Sequence, residues 1–475
     1  MSQQKASLLL SKQGKLEVGT RPIPTPRGEQ ALVKVTAAAI NPVDWKIVDY
    51  GLFIDEFPAV LGTDGAGIIE SVGPDVTGFQ KGDKIFFQGL YKPADSANFQ
   101  QYTLVDTEVT AKVPSNINDD QASTIPLGSV TSLVGLFQKS GVAFPESGPT
   151  AAGKSVLILG GSSSVGQFGI QLARIAGFSP IVTTASSQHA EYLKSLGATH
   201  VFDRNVDLKT LQEAFAGPVS LAFDSISIPS TQKLAIEALT APSIAPGAHL
   251  ALVLPLDAAL QKEVEGKVTV NQVFGSSHTW KDLTVPYWQI IGKWIEEGKI
   301  VPNHVQLVSG GLSAVPDALD LSRKGESLVQ APYPAIQLAR IAGFSPVVTT
   351  TSEKHTEYLQ PLGATRILNR NADVKALQSA FVEPVSFVLD AISLPETQSV
   401  AFEVLTTPNP VPGVHLAVVL KFQTALKAKN EALGSRSVAV NDVWGTSHLY
   451  RDITIPFWSV LEVWIKSEKL VPNRV

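Results

Sequence analysis

The segment SVLILGGSSSVGQFG, residues 155–169, constrains this chain more than any other stretch. Ser155–Gly160 is continuously apolar, the pattern of a parallel strand covered on both faces. Gly160-Gly161-Ser162-Ser163-Ser164-Val165-Gly166 follows as a turn of small residues. Val165, Phe168, Ile170, Leu172, Ala173 and Ile175 then recur at helical spacing, with Gly177 as the stop. Further strand-like runs lie at Ser179–Thr184, His200–Asp203, Ser220–Asp224, His249–Leu254 and Val268–Phe274, with helical patterns between most of them. Six strands alternating with helices predict an α/β, Rossmann-like domain with a doubly wound parallel sheet, over residues 127–278.

Residues 1–126 read differently. Glu29–Ile40, Val60–Val72, Asp83–Phe87 and Asn98–Val105 are strand-like and separated by Gly, Pro and Asp turns, which predicts a compact β-rich domain. Residues 279–326, with a helical stretch and one short strand between Trp280 and Gly311, are expected to return to it. Hydrophobic residues at 44% and charged residues at 17% exclude wholesale disorder. A net charge of −5 argues against a nucleic-acid partner. With no cysteine there is no disulfide, thiolate nucleophile or Cys-ligated zinc. No apolar run approaches the ~20 residues that span a bilayer, so a soluble, cytoplasmic protein without a membrane partner is expected.

The chain also repeats itself. IQLARIAGFSP occurs at Ile170–Pro180 and, unchanged, at Ile336–Pro346; HAEYLKSLGAT at His189–Thr199 returns as HTEYLQPLGAT at His355–Thr365. VTVNQVFGSSH at Val268–His278 returns as VAVNDVWGTSH at Val438–His448, and VPNHV at Val301–Val305 as VPNRV at the end. Two copies of this length are not a solenoid. Residues 327–335 read as a linker and 336–475 as a partial Rossmann repeat, a tandem duplication lacking the first strand and the Gly-rich turn. Two inner strands of this repeat lose their shared neighbour, and no cofactor is expected there. The retained edge strand Val438–Trp444 suggests an intrachain pseudo-dimer through Val268–Phe274; the alternative is a fused remnant.

The turn Gly160–Gly166 carries the strongest chemical signal. Small residues let the backbone approach a pyrophosphate, and the first-turn N–H groups of the helix favour its charge. An NAD site wants a carboxylate about 20 residues on. Here the next strand ends VTTASSQH. Ser186, Ser187 and His189 can donate to a 2′-phosphate and Arg204 follows the next strand, so NADPH is favoured over NADH. Ser186 and Ser187 also suit a helix cap.

With AAAINPVDWK (Ala37–Lys46), VLGTDGAGII (Val60–Ile69), GDKIFF (Gly82–Phe87), IPLGSVTSLVGL (Ile125–Leu136) and the glycine–serine turn, the first 326 residues resemble the medium-chain dehydrogenase/reductase superfamily. Within it they resemble the zinc-independent fungal group of toxD-like and trans-acting enoyl reductases. The resemblance implies a GroES-like catalytic domain clasping the Rossmann domain, with the active site between them. It carries cofactor contacts onto Val43, Asp44, Trp45 and Lys46, onto Ser162, Ser163, Ser164 and Val165, onto Ser186, Ser187, Gln188 and His189, and onto Leu252 and Val253. It places Thr131 beside the nicotinamide or substrate, and Phe274, Gly275, Ser276, Ser277 and His278 along the substrate pocket. Lys46 and Thr131 are the catalytic candidates, and Tyr50 is a proton-donor candidate by proximity alone. Arg204 stands where the resemblance leads one to expect an aromatic residue.

Metal-dependent relatives carry a Cys at the position of Asn41, a His at that of Thr63 and a third ligand near Leu127. None of these residues is such a ligand here, so no metal is expected. Without an electrophilic metal, reduction of an activated C=C bond suits the site better than alcohol oxidation. The reading is an NADPH-dependent reductase of a small-molecule or carrier-bound enoyl thioester or enone. The alternatives are an NADPH:quinone-type reductase and a non-catalytic NADPH-binding protein disabled by the fused repeat.

Overall fold

Apolar alternation in the first 112 residues closes into two antiparallel sheets in the computed structural model. The strands are β1 (Gln3–Leu9), β2 (Leu16–Pro22), β3 (Gln30–Ala39), β4 (Ala59–Val60), β5 (Asp64–Val72), β6 (Lys84–Gln88), β7 (Tyr102–Asp106) and β8 (Thr110–Lys112). One sheet has the order β2-β1-β4, the other β7-β3-β5-β6-β8. The run expected as one strand over Val60–Val72 is therefore two strands in different sheets: β4 pairs with β1, and β5 with β3. The break falls at Gly62, whose φ is +87°. A Cβ there would also lie 2.5 Å from the Phe99 ring, so the chain changes sheets where only glycine fits.

The second half of this region is the predicted parallel sheet. Its strands are β9 (Val156–Leu159), β10 (Ile181–Thr184), β11 (His200–Phe202), β12 (Leu221–Asp224), β13 (His249–Leu252) and β14 (Thr269–Gln272), in the order β11-β10-β9-β12-β13-β14. Every pairing is parallel. β9, β10, β12 and β13 are buried along their whole length, as a sheet covered by helices on both faces requires. Helices Pro126–Phe137 and Ser164–Ala176 pack on it, and helix Lys281–Glu296 contributes Tyr287, Trp288, Ile291 and Trp294 to the same core. Phe86 and Ala66 of the β-domain join that core, so the two domains share it. The fold is a GroES-like domain plus a Rossmann-like parallel sheet.

The short strand expected before Gly311 does not form. Val301 instead gives its N–H to Gln171 Oε1 at 2.7 Å and accepts from Gln171 Nε2 at 3.1 Å, so one side-chain amide satisfies both backbone groups that a neighbouring strand would have taken.

The structure describes residues 2–324 and, beyond them, 336, 339–340, 342–351, 360, 363–369, 372–382, 384–390, 395–407, 414–418 and 424–442. The chain divides into units Met1–Glu326 and Ser327–Val475. In the second unit β15 (Val348–Thr351) pairs with β16 (Arg366–Asn369), and β17 (Phe387–Asp390), β18 (His415–Val418) and β19 (Ala439–Asp442) form a separate three-stranded sheet. By sequence these match β10–β11 and β12–β14. In the first unit β9 lies between β10 and β12; among the described residues of the second unit no strand joins its two sheets. Local detail persists: Thr397 Oγ1 donates to Asp390 at 2.8 Å as Thr231 Oγ1 does to Asp224 at 2.7 Å. The linker 327–335 and residues 443–444 of the expected edge strand lie outside the described residues. Among the described residues no helix is long and apolar enough to cross a membrane.

Candidate active site

The Gly-rich turn sits between β9 and helix Ser164–Ala176, at the carboxyl end of the sheet. Gly160 has φ +81°, and a Cβ on Gly166 would lie 2.2 Å from the Gly160 carbonyl oxygen. The turn is thus as tight as its composition predicted. Ser163 caps the helix by accepting from Gly166 N at 2.9 Å and also meets Ser225 Oγ at 2.9 Å. Its hydroxyl is engaged within the fold. The first-turn N–H groups of Ser164 and Val165 have no acceptor within the helix, the arrangement that can receive an anion. These features fit a dinucleotide pyrophosphate.

Ser186 and the turn Ser187–His189 follow β10, and Arg204 follows β11. Burial, Arg204 and His304 all hold the His189 imidazole below its ordinary pKa, so three basic side chains share one region. Arg204 makes no ion pair or side-chain hydrogen bond among the described residues. Leu252 is buried in the core, whereas Val253 is half-buried with its N–H on Ser227 Oγ at 2.9 Å.

In the β-rich domain, Val43–Lys46 lie on helix Pro42–Tyr50. Lys46 Nζ stands 5.5 Å over the Trp45 ring, which Arg323 approaches at 5.9 Å. Tyr50 is exposed and edge-on to Trp45 at 6.1 Å. Asp44 is turned inward and wholly buried: Oδ2 accepts from Asn41 N at 2.8 Å, and Oδ1 from Tyr91 OH at 3.1 Å. Asp64 is buried beside it, with Oδ2 on Asn41 Nδ2 at 3.0 Å and Oδ1 on Leu127 N at 2.8 Å. Burial pushes the Asp44 carboxyl up to about 7. Burial, reinforced by Asp44, pushes Asp64 up to about 8. Tyr91 is raised well above its usual range, first by burial and then by Asp44.

Residues 27–115 match the family described as Alcohol dehydrogenase GroES-like domain, and residues 164–253 that described as Zinc-binding dehydrogenase. Trans-enoyl reductase himH of Aspergillus japonicus is 32% identical over 66% of this chain and 91% of its own length. The chain belongs to the medium-chain dehydrogenase/reductase superfamily. Dehydrogenase pigH of Monascus ruber is 41% identical over 40% of this chain, which spans 54% of that relative. An alcohol dehydrogenase superfamily protein of Novosphingobium aromaticivorans superposes with a TM-score of 0.54 at 25% identity, covering 63% of this chain and 88% of that one.

For a member of this superfamily the zinc question is chemical. All four oxygens of Asp44 and Asp64 accept hydrogen bonds, and Asn41 and Thr63 offer no imidazole or thiolate. Among the described residues no three His, Cys, Asp or Glu side chains are grouped to hold a metal ion. The residues present do not fit a zinc ion.

Thr131 and the segment after β14 pack directly on one another. Thr131 Oγ1 donates to Leu127 O at 2.7 Å, and Gly275 packs so closely on it that a Cβ there would lie 2.1 Å from Thr131 Oγ1. Phe274 is exposed, and Gly275 and Ser276 are half-buried. Ser277 and His278 are engaged elsewhere. Ser277 is fully buried with its hydroxyl accepting from Trp288 Nε1 at 3.0 Å, and His278 Nε2 lies 3.3 Å from Asp106, whose carboxyl it helps hold below the usual range. Gln88, which carried no signal in the sequence, latches this segment to β6: Nε2 donates to Gly275 O at 2.8 Å and Oε1 accepts from Ser277 N at 2.7 Å. Gln88→Ala strands the buried Ser277 N–H, at about 1–3 kcal/mol, and the part-buried Gly275 carbonyl, at about 1 kcal/mol, so it is expected to cost roughly 2–4 kcal/mol. Thermal unfolding followed by tryptophan fluorescence measures this, and an unshifted midpoint would count against the latch.

Proposed function

We propose that the chain is an NADPH-dependent reductase of an activated C=C bond, in an enoyl thioester or an enone, acting without a metal. The observation that carries the reading is a tight strand-to-helix turn of small residues, joined in one unit with a β-rich domain whose buried carboxylates are engaged in hydrogen bonds. No side chain there is left to hold a zinc ion that would polarise a carbonyl. A relative named as a trans-enoyl reductase supports the substrate class. Ser164 and Val165 would hold the pyrophosphate by their N–H groups, with Ser186, Ser187, His189 and Arg204 about the 2′-phosphate. Val43, Trp45, Lys46 and Val253 would flank the nicotinamide end, with Thr131, Phe274, Gly275 and Ser276 lining the acceptor side; Asp44, buried beneath them, would support that helix and not touch the cofactor. A reduced nicotinamide bound there would supply a hydride to the β-carbon of the acceptor, and a proton from solvent at the α-carbon would complete the saturated product. The protein's part is to orient both partners and limit water, with Gly275 packed on Thr131 to keep the wall close.

The purified chain, mixed with NADPH and an enoyl thioester or a simple enone, is expected to consume the reduced nicotinamide and return the saturated product. NADH is expected to serve much less well. Consumption with small quinones only would favour the quinone-type reading. Tight NADPH binding with no acceptor-dependent oxidation would favour a non-catalytic protein.

A further inference from the structure

The segment after helix Lys281–Glu296 runs along one polar stripe of helix Ser164–Ala176. Arg174 Nη2 donates to Lys299 O at 2.6 Å, Gln171 takes both backbone groups of Val301, and Asn303 Nδ2 meets Ser164 Oγ. Residues 164, 171 and 174 lie on one face of the helix, so the segment travels toward the phosphate-binding end and delivers His304 there. The His304 ring stacks on Tyr192 with centroids 4.6 Å apart. Tyr192 OH donates to Gln167 Oε1 at 3.3 Å, and Gln167 Nε2 donates to Ser162 O at 3.0 Å. His304 is thus tied through two side chains to the Gly-rich turn itself. Tyr192 also lies one helical turn beyond His189, which brings His304 to the region of His189 and Arg204.

We propose that His304 is a specificity-determining residue that completes, with Arg204 and His189, the site for the phosphomonoester on the adenosine ribose of NADPH. This rests on the NADPH reading above. A gathering of basic side chains with no carboxylate paired to His304 or Arg204 among the described residues is unfavourable until an anion arrives between them. His304 is exposed, so it can turn to a ligand without opening the core.

The test is calorimetric titration of the full chain with 2′,5′-ADP and with 5′-ADP at fixed ionic strength. The unmodified chain is expected to prefer 2′,5′-ADP. His304→Gln is expected to weaken 2′,5′-ADP about tenfold, the loss of one charge-assisted hydrogen bond, and to leave 5′-ADP within about twofold. His304→Arg is expected to restore the preference. If the unmodified chain prefers 2′,5′-ADP and His304→Gln leaves that preference intact, the role of His304 is overturned and the NADPH reading stands. If the unmodified chain shows no preference, the NADPH reading fails and the proposal with it.

Discussion

Gly166→Val is expected to remove dinucleotide binding, weakening NADPH by at least about 100-fold, or roughly 2.7 kcal/mol. The reason is backbone crowding. A Cβ at this position would meet the Gly160 carbonyl oxygen at 2.2 Å and the Gly161 Cα at 2.8 Å, and neither can rotate aside as a side chain would. The turn must spread, and spreading it moves the Ser164 and Val165 N–H groups off a common target. Overpacking of this kind typically costs about 1–3 kcal/mol of stability as well. Gly169→Ala is the control on the same helix. Its Cβ would find its nearest neighbours at 3.5 Å, an ordinary contact, so binding should persist. Titration of both variants with NADPH, following protein fluorescence, with circular dichroism to confirm the fold, decides the matter. If Gly166→Val bound NADPH as the unmodified chain does, the turn would not be the phosphate site.

What could be read in advance was what depends on neighbours in the chain. The apolar run before Gly160, the helical spacing after it and the period of the later strands are local, and the parallel sheet followed from them. Gly62 looked like one more residue in an apolar run, because its role depends on Phe99, which fills the space beside it. β1 is hard to read in the sequence because Gln4 and Ser7, both buried, interrupt the apolar pattern of MSQQKASLLL. Gln88 and Gln171 are invisible for the same reason in stronger form. Their partners lie 187 and 130 residues away, and a lone glutamine has no periodicity to betray it. Of the Asn41–Asp44–Asp64 cluster, the sequence offers Asn41 as a residue unsuited to zinc and Asp44 as a cofactor contact implied by resemblance, whereas the structure buries Asp44. That they bond to one another and to Leu127 N is a product of the packing between the β-domain and helix Pro126–Phe137.

That cluster leads to the second large effect, which is on pH. Asp64 is raised to about 8 in the fold by burial, against an ordinary value near 3.8. Between those values the unfolded chain has given up its proton while the folded chain keeps it. The folded state therefore binds more protons, and stability is expected to fall as pH rises from about 4 to about 8 and then level off. This is the reverse of a salt-bridged carboxylate, whose contribution is lost on acidification. Each such group contributes a slope of at most ~1.4 kcal/mol per pH unit, and Asp44, raised to about 7, adds to it over a narrower range. Asp64→Asn removes the titration at nearly unchanged volume. It leaves either Leu127 N or Asn41 Nδ2 facing an NH2 group, a loss of about 1–3 kcal/mol. The variant is accordingly expected to be less stable than the unmodified chain at pH 5, and to close or reverse that gap by pH 8–9. Urea unfolding across this range measures both curves. Parallel curves would mean that Asp64 titrates alike in folded and unfolded chains. A crossing would show that Asp64 keeps its proton in the folded chain and gives it up on unfolding.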